Sequence, residues 1–144
     1  MQRTLPDAAA THAFASDLAE RLPPGALLLI DGPLGAGKTT LVAGLVAALG
    51  GPDRTSSPSY TLVHEYPTPA GTIVHVDAYR LPDARVLMEM GLEDYLERAR
   101  LVVVEWGGTL ADVYPEAWHL QLARPSDRPG RTAVLRPPAG SMTG

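Results

Sequence analysis

Gly32-Pro33-Leu34-Gly35-Ala36-Gly37-Lys38-Thr39 fits G-x-x-x-x-G-K-[ST], the pattern of a phosphate-binding loop. Its flanks decide the fold. Ala26 to Ile30 is an apolar run closed by Asp31 and reads as a buried strand. Thr40 to Leu49 is rich in Ala and Leu, the composition of a helix. Strand, glycine loop and helix in that order are the setting of a P-loop in an α/β fold.

The chemistry follows from the residue types. Glycines let the backbone turn tightly and approach a ligand without Cβ clashes. Amides from Gly35 through Ala36, Gly37, Lys38, Thr39 and Thr40 can then cradle phosphate oxygens at the helix N-terminus. Lys38 is expected to reach β- and γ-phosphates as a point charge, and the Thr39 hydroxyl to serve as an oxygen ligand for Mg²⁺. Lys38 is also the only lysine among twelve basic residues; the rest are arginine. A compact ammonium therefore persists at the one place where a planar guanidinium is a poor substitute.

Composition sets the outer bounds. A chain of 144 residues is expected to form one domain over residues 1–136, with 137–144 as a loose tail. There are no cysteines, hence no disulfide framework and no thiolate site. The N-terminus lacks a signal-peptide pattern, and the apolar stretches are too short to span a bilayer. A cytoplasmic location without membrane contact is the expectation. The net charge of −4 shows no long basic run, so any role with nucleic acid is expected to be indirect.

Outward from the P-loop, Arg3 and Thr4 suggest a short edge strand, and Phe14, Leu18 and Leu22 mark one face of a helix over Ala8 to Leu22. Thr11, near that helix's start, can cap it or face a ligand. Ser56-Ser57-Pro58-Ser59-Tyr60-Thr61 is a hydroxyl cluster where nucleotide-hydrolysing proteins keep a γ-phosphate switch. Leu62 to Tyr66 and Thr72 to Asp77 predict an antiparallel hairpin. Helical sequence resumes from Pro82 to Met90 and from Leu92 to Arg98. Leu101 to Glu105 reads as a central strand, buried on both faces. A short helix over Thr109 to Val113 and strands over Ala117 to Ala123 and Thr132 to Leu135 complete the chain. Beyond the P-loop strand, two strands thus end in acids, Asp77 and Glu105, and either could hold a metal or orient a water. The ordinary alternative is a strand-end acid that caps a helix or pairs with Arg80 or Arg100. The histidines show no metal-ligand spacing and read as structural. Arg124, Arg128, Arg131 and Arg136 make the C-terminal hairpin locally basic.

Taken in succession, LGAGKTT (34–40), SPSYTLV (57–63), HVDAYRL (75–81), GLEDY (91–95) and VEW (104–106) resemble the TsaE (also YjeE) family of P-loop ATPases. That resemblance implies a three-layer P-loop NTPase fold, a central mixed sheet flanked by helices. It implies ATP bound at Gly35 to Thr40, with Mg²⁺ held by Thr39 and Glu105, and Asp77 acting on the attacking water. Thr61 matches the switch-like segment, Trp106 a tryptophan beside the metal acid, and Thr11 and Arg131 residues close to the nucleotide. The family function is ATP hydrolysis supporting threonylcarbamoyladenosine modification of tRNA through a TsaD–TsaB complex. Departures are small: Ser59 and Tyr60 replace a common Thr-Phe, Ala78 a common Leu, and Gly107-Gly108 an acidic position. A small-molecule kinase or a non-hydrolysing nucleotide sensor are the other readings of the P-loop. A GTPase is disfavoured, because its N-K-x-D motif needs a second lysine.

Overall fold

The structure is a computed structural model that describes residues 2–33, 37–51, 63–77, 89, 91–105, 114–127 and 130–138. Its elements are β1 (Gln2–Leu5), α1 (Ala8–Arg21), β2 (Ala26–Asp31), α2 (Lys38–Ala48), β3 (Val63–Tyr66) and β4 (Ile73–Asp77). Then follow α3 (Leu92–Arg98), β5 (Leu101–Glu105), β6 (Trp118–Ala123) and β7 (Arg131–Arg136). The predicted helices over 82–90 and 109–113, the hydroxyl cluster and the tail beyond Pro138 lie outside the described residues, apart from helical Glu89.

One seven-stranded mixed sheet runs in the order β1-β7-β6-β2-β5-β4-β3. Its middle, β6-β2-β5-β4, is parallel, and antiparallel pairs close both sides. The two apolar runs of the sequence are therefore neighbours, with Leu28 opposite Val103 and Ile30 opposite Glu105. Strands buried on both faces need no alternation, which is why ALLLI and LVVV read as unbroken hydrophobic runs.

The pleat sorts these side chains into two cores. Leu28, Ile30, Leu101 and Val103 pack beneath α1 and α2 with Phe14, Leu18, Leu41 and Leu45. Leu27, Leu29, Val102 and Val104 face the other side, against Leu92, Tyr114 and Ala117. The expected three layers are present. The edge-strand, hairpin and central-strand expectations also hold: β1 lies at one edge, β3 and β4 pair antiparallel, and β5 is buried along its whole length. α2 begins two residues earlier than its apolar stretch, because Lys38 and Thr39 form its first turn.

Asp7 fixes the start of α1 by accepting from the Ala10 amide at 2.8 Å. The two helices then approach closely through Gly44. A Cβ built there would lie 2.8 Å from Ala15 Cβ and 3.2 Å from His12 Nδ1. Gly44→Val should therefore overpack the helix pair and lower stability by about 1–3 kcal/mol. Urea unfolding monitored by circular dichroism reads that change, and an unchanged midpoint would show that the helices part at no cost.

Candidate active site

The site is built at the carboxyl edge of the parallel strands, where α/β sheets bind ligands. β2 leaves that edge at Asp31, and the chain re-enters helix at Lys38. Gly37, the residue before α2, has φ 96°, in the left-handed region that favours glycine. Among the described residues nothing lies within 4 Å of a Cβ built at Gly37, and its positive φ is what favours glycine there. The first amides of α2 have no partners one turn earlier in the helix, which makes this end a natural seat for an anion. Thr39 and Thr40 are exposed in that first turn.

Lys38 is only 6% exposed. Its Nζ donates to the Gly32 carbonyl and, at 3.3 Å, to the Pro33 carbonyl. Burial pushes the ammonium below the ordinary lysine value; the carboxylates of Glu105, Asp31 and Asp77 partly offset that push. These three acids end β5, β2 and β4, which are neighbours in the sheet. Glu105 and Asp77 are directly opposite in the β4–β5 register, so they share the face covered by α1 and α2. Asp31 falls on the opposite face, one pleat beyond Ile30.

Two histidines hold two of these acids. His75 Nε2 lies 2.5 Å from Glu105 Oε2, and both side chains are buried. His119 Nε2 lies 2.7 Å from Asp31 Oδ2, where both groups are partly exposed. Arg100, one suggested ion-pair partner for the strand-end acids, instead donates to the carbonyls of Ala19 and Leu22. Arg80 lies outside the described residues.

Beside the start of α2 is a cleft of about 220 Å³, lined among others by Pro6, Thr11, Gly37, Thr40, Gly130 and Arg131. A Cβ on Gly130 would meet Leu5 O and Pro6 Cα at 2.8 Å, so β7 begins pressed against the β1–α1 joint. That contact brings Arg131 to the same cleft as Thr11. Thr11 is buried, its hydroxyl donating to the Asp7 carbonyl at 3.3 Å, and it borders the cleft; the cap of its helix is Asp7 and not Thr11. A larger hollow of about 350 Å³, between Pro23, Leu96 and Trp118, lies at the amino ends of β2 and β6. Among the described residues that line it, Glu116 is the only charged one.

Of the residues singled out from the sequence, Lys38, Asp77 and Glu105 form one cluster, and Thr11, Gly37, Thr40 and Arg131 border one cleft. Gly35, Ala36, Thr61 and Trp106 lie outside the described residues. Sequence reading missed Asp31, His75 and His119. Asp31 carried the same signal as the other two acids, a carboxylate closing an apolar strand.

The model of the family described as "Threonylcarbamoyl adenosine biosynthesis protein TsaE" matches residues 5–133. The chain belongs to the TsaE family. A Mycobacterium bovis protein named tRNA threonylcarbamoyladenosine biosynthesis protein TsaE is 42% identical over 118 residues, covering 76% of this chain and 70% of its own. Proteins of the same name from Haemophilus influenzae and Bacillus subtilis are 40% and 33% identical, covering 63% and 74% of this chain. The chain spans 58% and 66% of those two relatives' lengths. The crystal structure of Bacillus subtilis YdiB superposes with a TM-score of 0.75 at 25% identity, over 96% of this chain and 85% of that one. The TsaE match takes in the P-loop, all three strand-end acids and both ends of the cleft.

A single lysine gives a single side-chain ¹⁵N resonance, so the environment of Lys38 can be read directly by NMR titration. Its pKa should fall below 10.5, and Glu105→Gln should lower it further by removing the largest carboxylate offset. Between the folded value and 10.5 the unfolded chain holds the extra proton, so this group's contribution to stability rises with pH through that window. An ordinary value in the folded protein would contradict the burial of the ammonium.

Proposed function

We propose that the chain is a Mg²⁺-dependent ATPase, converting ATP to ADP and phosphate, that supports threonylcarbamoyladenosine modification of tRNA through a TsaD–TsaB complex. One observation carries the reading: a buried lysine at the N-terminus of α2, set among strand-end carboxylates and next to a cleft bordered by Thr11 and Arg131. Family membership supplies the biological setting, since the relatives bear the name of that tRNA modification.

The residues suit Mg²⁺. This ion favours oxygen ligands and is usually held by one or two carboxylates plus substrate phosphates, not by a cage of protein groups. Among the described residues no three His, Asp or Glu side chains form such a cage, while Glu105 and the exposed Thr39 offer oxygens near the P-loop. Thr39 and Glu105 would hold Mg²⁺, whose charge offsets that on the phosphates.

The chain's own groups do the rest. α2 amides and Lys38 bind the β- and γ-phosphates, with Lys38 exchanging its carbonyl partners for phosphate oxygens. Loss of those carbonyl bonds is small beside a charge-assisted contact to a polyanion. Asp77, on the same face as Glu105 but less buried, orients the attacking water and accepts its proton. Thr11 and Arg131 border the cleft for the nucleoside end. Its volume is below that of a pocket enclosing a whole drug-sized ligand, so it suits part of a nucleotide. The net charge of −4 favours action through a protein complex over direct grip on RNA.

Phosphate release from Mg-ATP, without acceptor, tests the proposal alone and with the TsaD–TsaB complex. Release that rises with the complex is expected. Lys38→Ala should reduce kcat/KM by at least about 10²-fold, and Asp77→Asn should lower kcat by about 10²–10⁴-fold with nucleotide binding retained. Glu105→Ala should mainly damage hydrolysis, leaving nucleotide affinity without metal intact. ADP formed only when a small-molecule acceptor is added would make the protein a kinase, and ATP bound but never cleaved would make it a sensor.

A further inference from the structure

We propose that His75 is a positioning residue for Glu105. It ties down one carboxylate oxygen, Oε2, and thereby presents the other, Oε1, as a pre-set ligand for the divalent cation. The inference rests on the reading of Glu105 as that cation's ligand.

The geometry comes from the register of β4 and β5. His75 sits opposite Val103 and Asp77 opposite Glu105, so His75 is one pleat inward of the site on the same face. From there its ring reaches diagonally to Glu105, with Nε2 and Oε2 2.5 Å apart. An ionised carboxylate only accepts, so the imidazole Nε2–H donates. A hydrogen bond to an ionised carboxylate is stronger than one between neutral groups.

His75 has little else to do. It is 1% exposed, and its Nδ1 is buried with no hydrogen-bond partner among the described residues. An imidazole that leaves one nitrogen unsatisfied in a core is a poor choice for packing alone, since an apolar ring would fill that space without desolvation cost. What the imidazole supplies and an apolar ring cannot is the bond to Glu105. A free glutamate has three rotatable bonds and, here, the Lys38 ammonium as a nearby attraction. With Oε2 held, Glu105 cannot turn both oxygens to that ammonium, and its rotamer is set before a cation arrives. Partners of ligating groups act in this way in metal sites generally.

Mn²⁺ serves as the probe, its binding to the full chain with a non-hydrolysable ATP analogue followed by electron paramagnetic resonance. His75→Phe keeps the ring's bulk and removes the donor; His75→Asn keeps polarity but falls short of Oε2. Both should weaken Mn²⁺ affinity by about 10–100-fold. Analogue affinity in EDTA should stay at the wild-type value, and His75→Gln, whose amide can reach Oε2, should restore metal binding to near wild type. A fold defect would instead lower the melting temperature and analogue binding together. Wild-type Mn²⁺ affinity in a folded His75→Phe or His75→Asn protein overturns the inference. Glu105→Gln separates the two levels: if it weakens Mn²⁺ binding while the His75 variants do not, only the role of His75 fails. If Glu105→Gln has no effect, the metal assignment fails with it.

Discussion

An ammonium group buried beside the end of a sheet is the constraint around which this fold is arranged. Taking a charge out of water is costly unless opposite charges and hydrogen-bond acceptors surround it. Lys38 has both: loop carbonyls at Gly32 and Pro33, and carboxylates closing three adjacent strands. Those carboxylates could not converge in an antiparallel arrangement, where neighbouring strands end at opposite edges. Parallel pairing of β4, β5 and β2 puts Asp77, Glu105 and Asp31 at one edge. The long connections that parallel pairing demands are then the helices that cover the sheet.

The same arrangement explains why the lysine has no arginine substitute in a chain that otherwise uses arginine throughout. The space around Lys38 Nζ is bounded by loop backbone on one side and by the first turn of α2 on its own. A planar guanidinium needs room in two directions and distributes its charge over three nitrogens. A point charge can move from carbonyl oxygens to phosphate oxygens by rotation of its stem, without reshaping the loop.

Much of this was legible in the sequence, for a physical reason. Strands buried on both faces write themselves as apolar runs, and a carboxylate closing such a run marks the edge where it emerges. ALLLID, TIVHVD and LVVVE each carried that signal. Gly37 and Lys38 were legible because the tight turn and the proposed phosphate contact admit few residue types. The couplings between distant strands were not legible. His75 reaches Glu105 only because β5 inserts between β2 and β4, and His119 reaches Asp31 only because β6 pairs with β2. Neither sheet order nor register is written locally, so both histidines read as isolated side chains. Arg131 beside Thr11 was suggested by family likeness alone; its physical cause is the close approach of Gly130 to the β1–α1 joint.

The two acids that share one face differ in a way that bears on their proposed labour. Glu105 is 5% exposed and tied at one oxygen to a buried imidazole. Such a group is fixed in place, which suits holding a cation whose geometry tolerates little variation. Asp77 ends its strand with partial exposure. A carboxylate that must take a proton from water, and later release it, needs access to solvent that a sealed group lacks. Had the exposures been reversed, the sheet edge would have offered a mobile metal ligand and a base cut off from its water. Under the proposed division of labour, the pleat and the cover of α1 and α2 give the fixed carboxylate, Glu105, the place of the ligand and the accessible one, Asp77, that of the base.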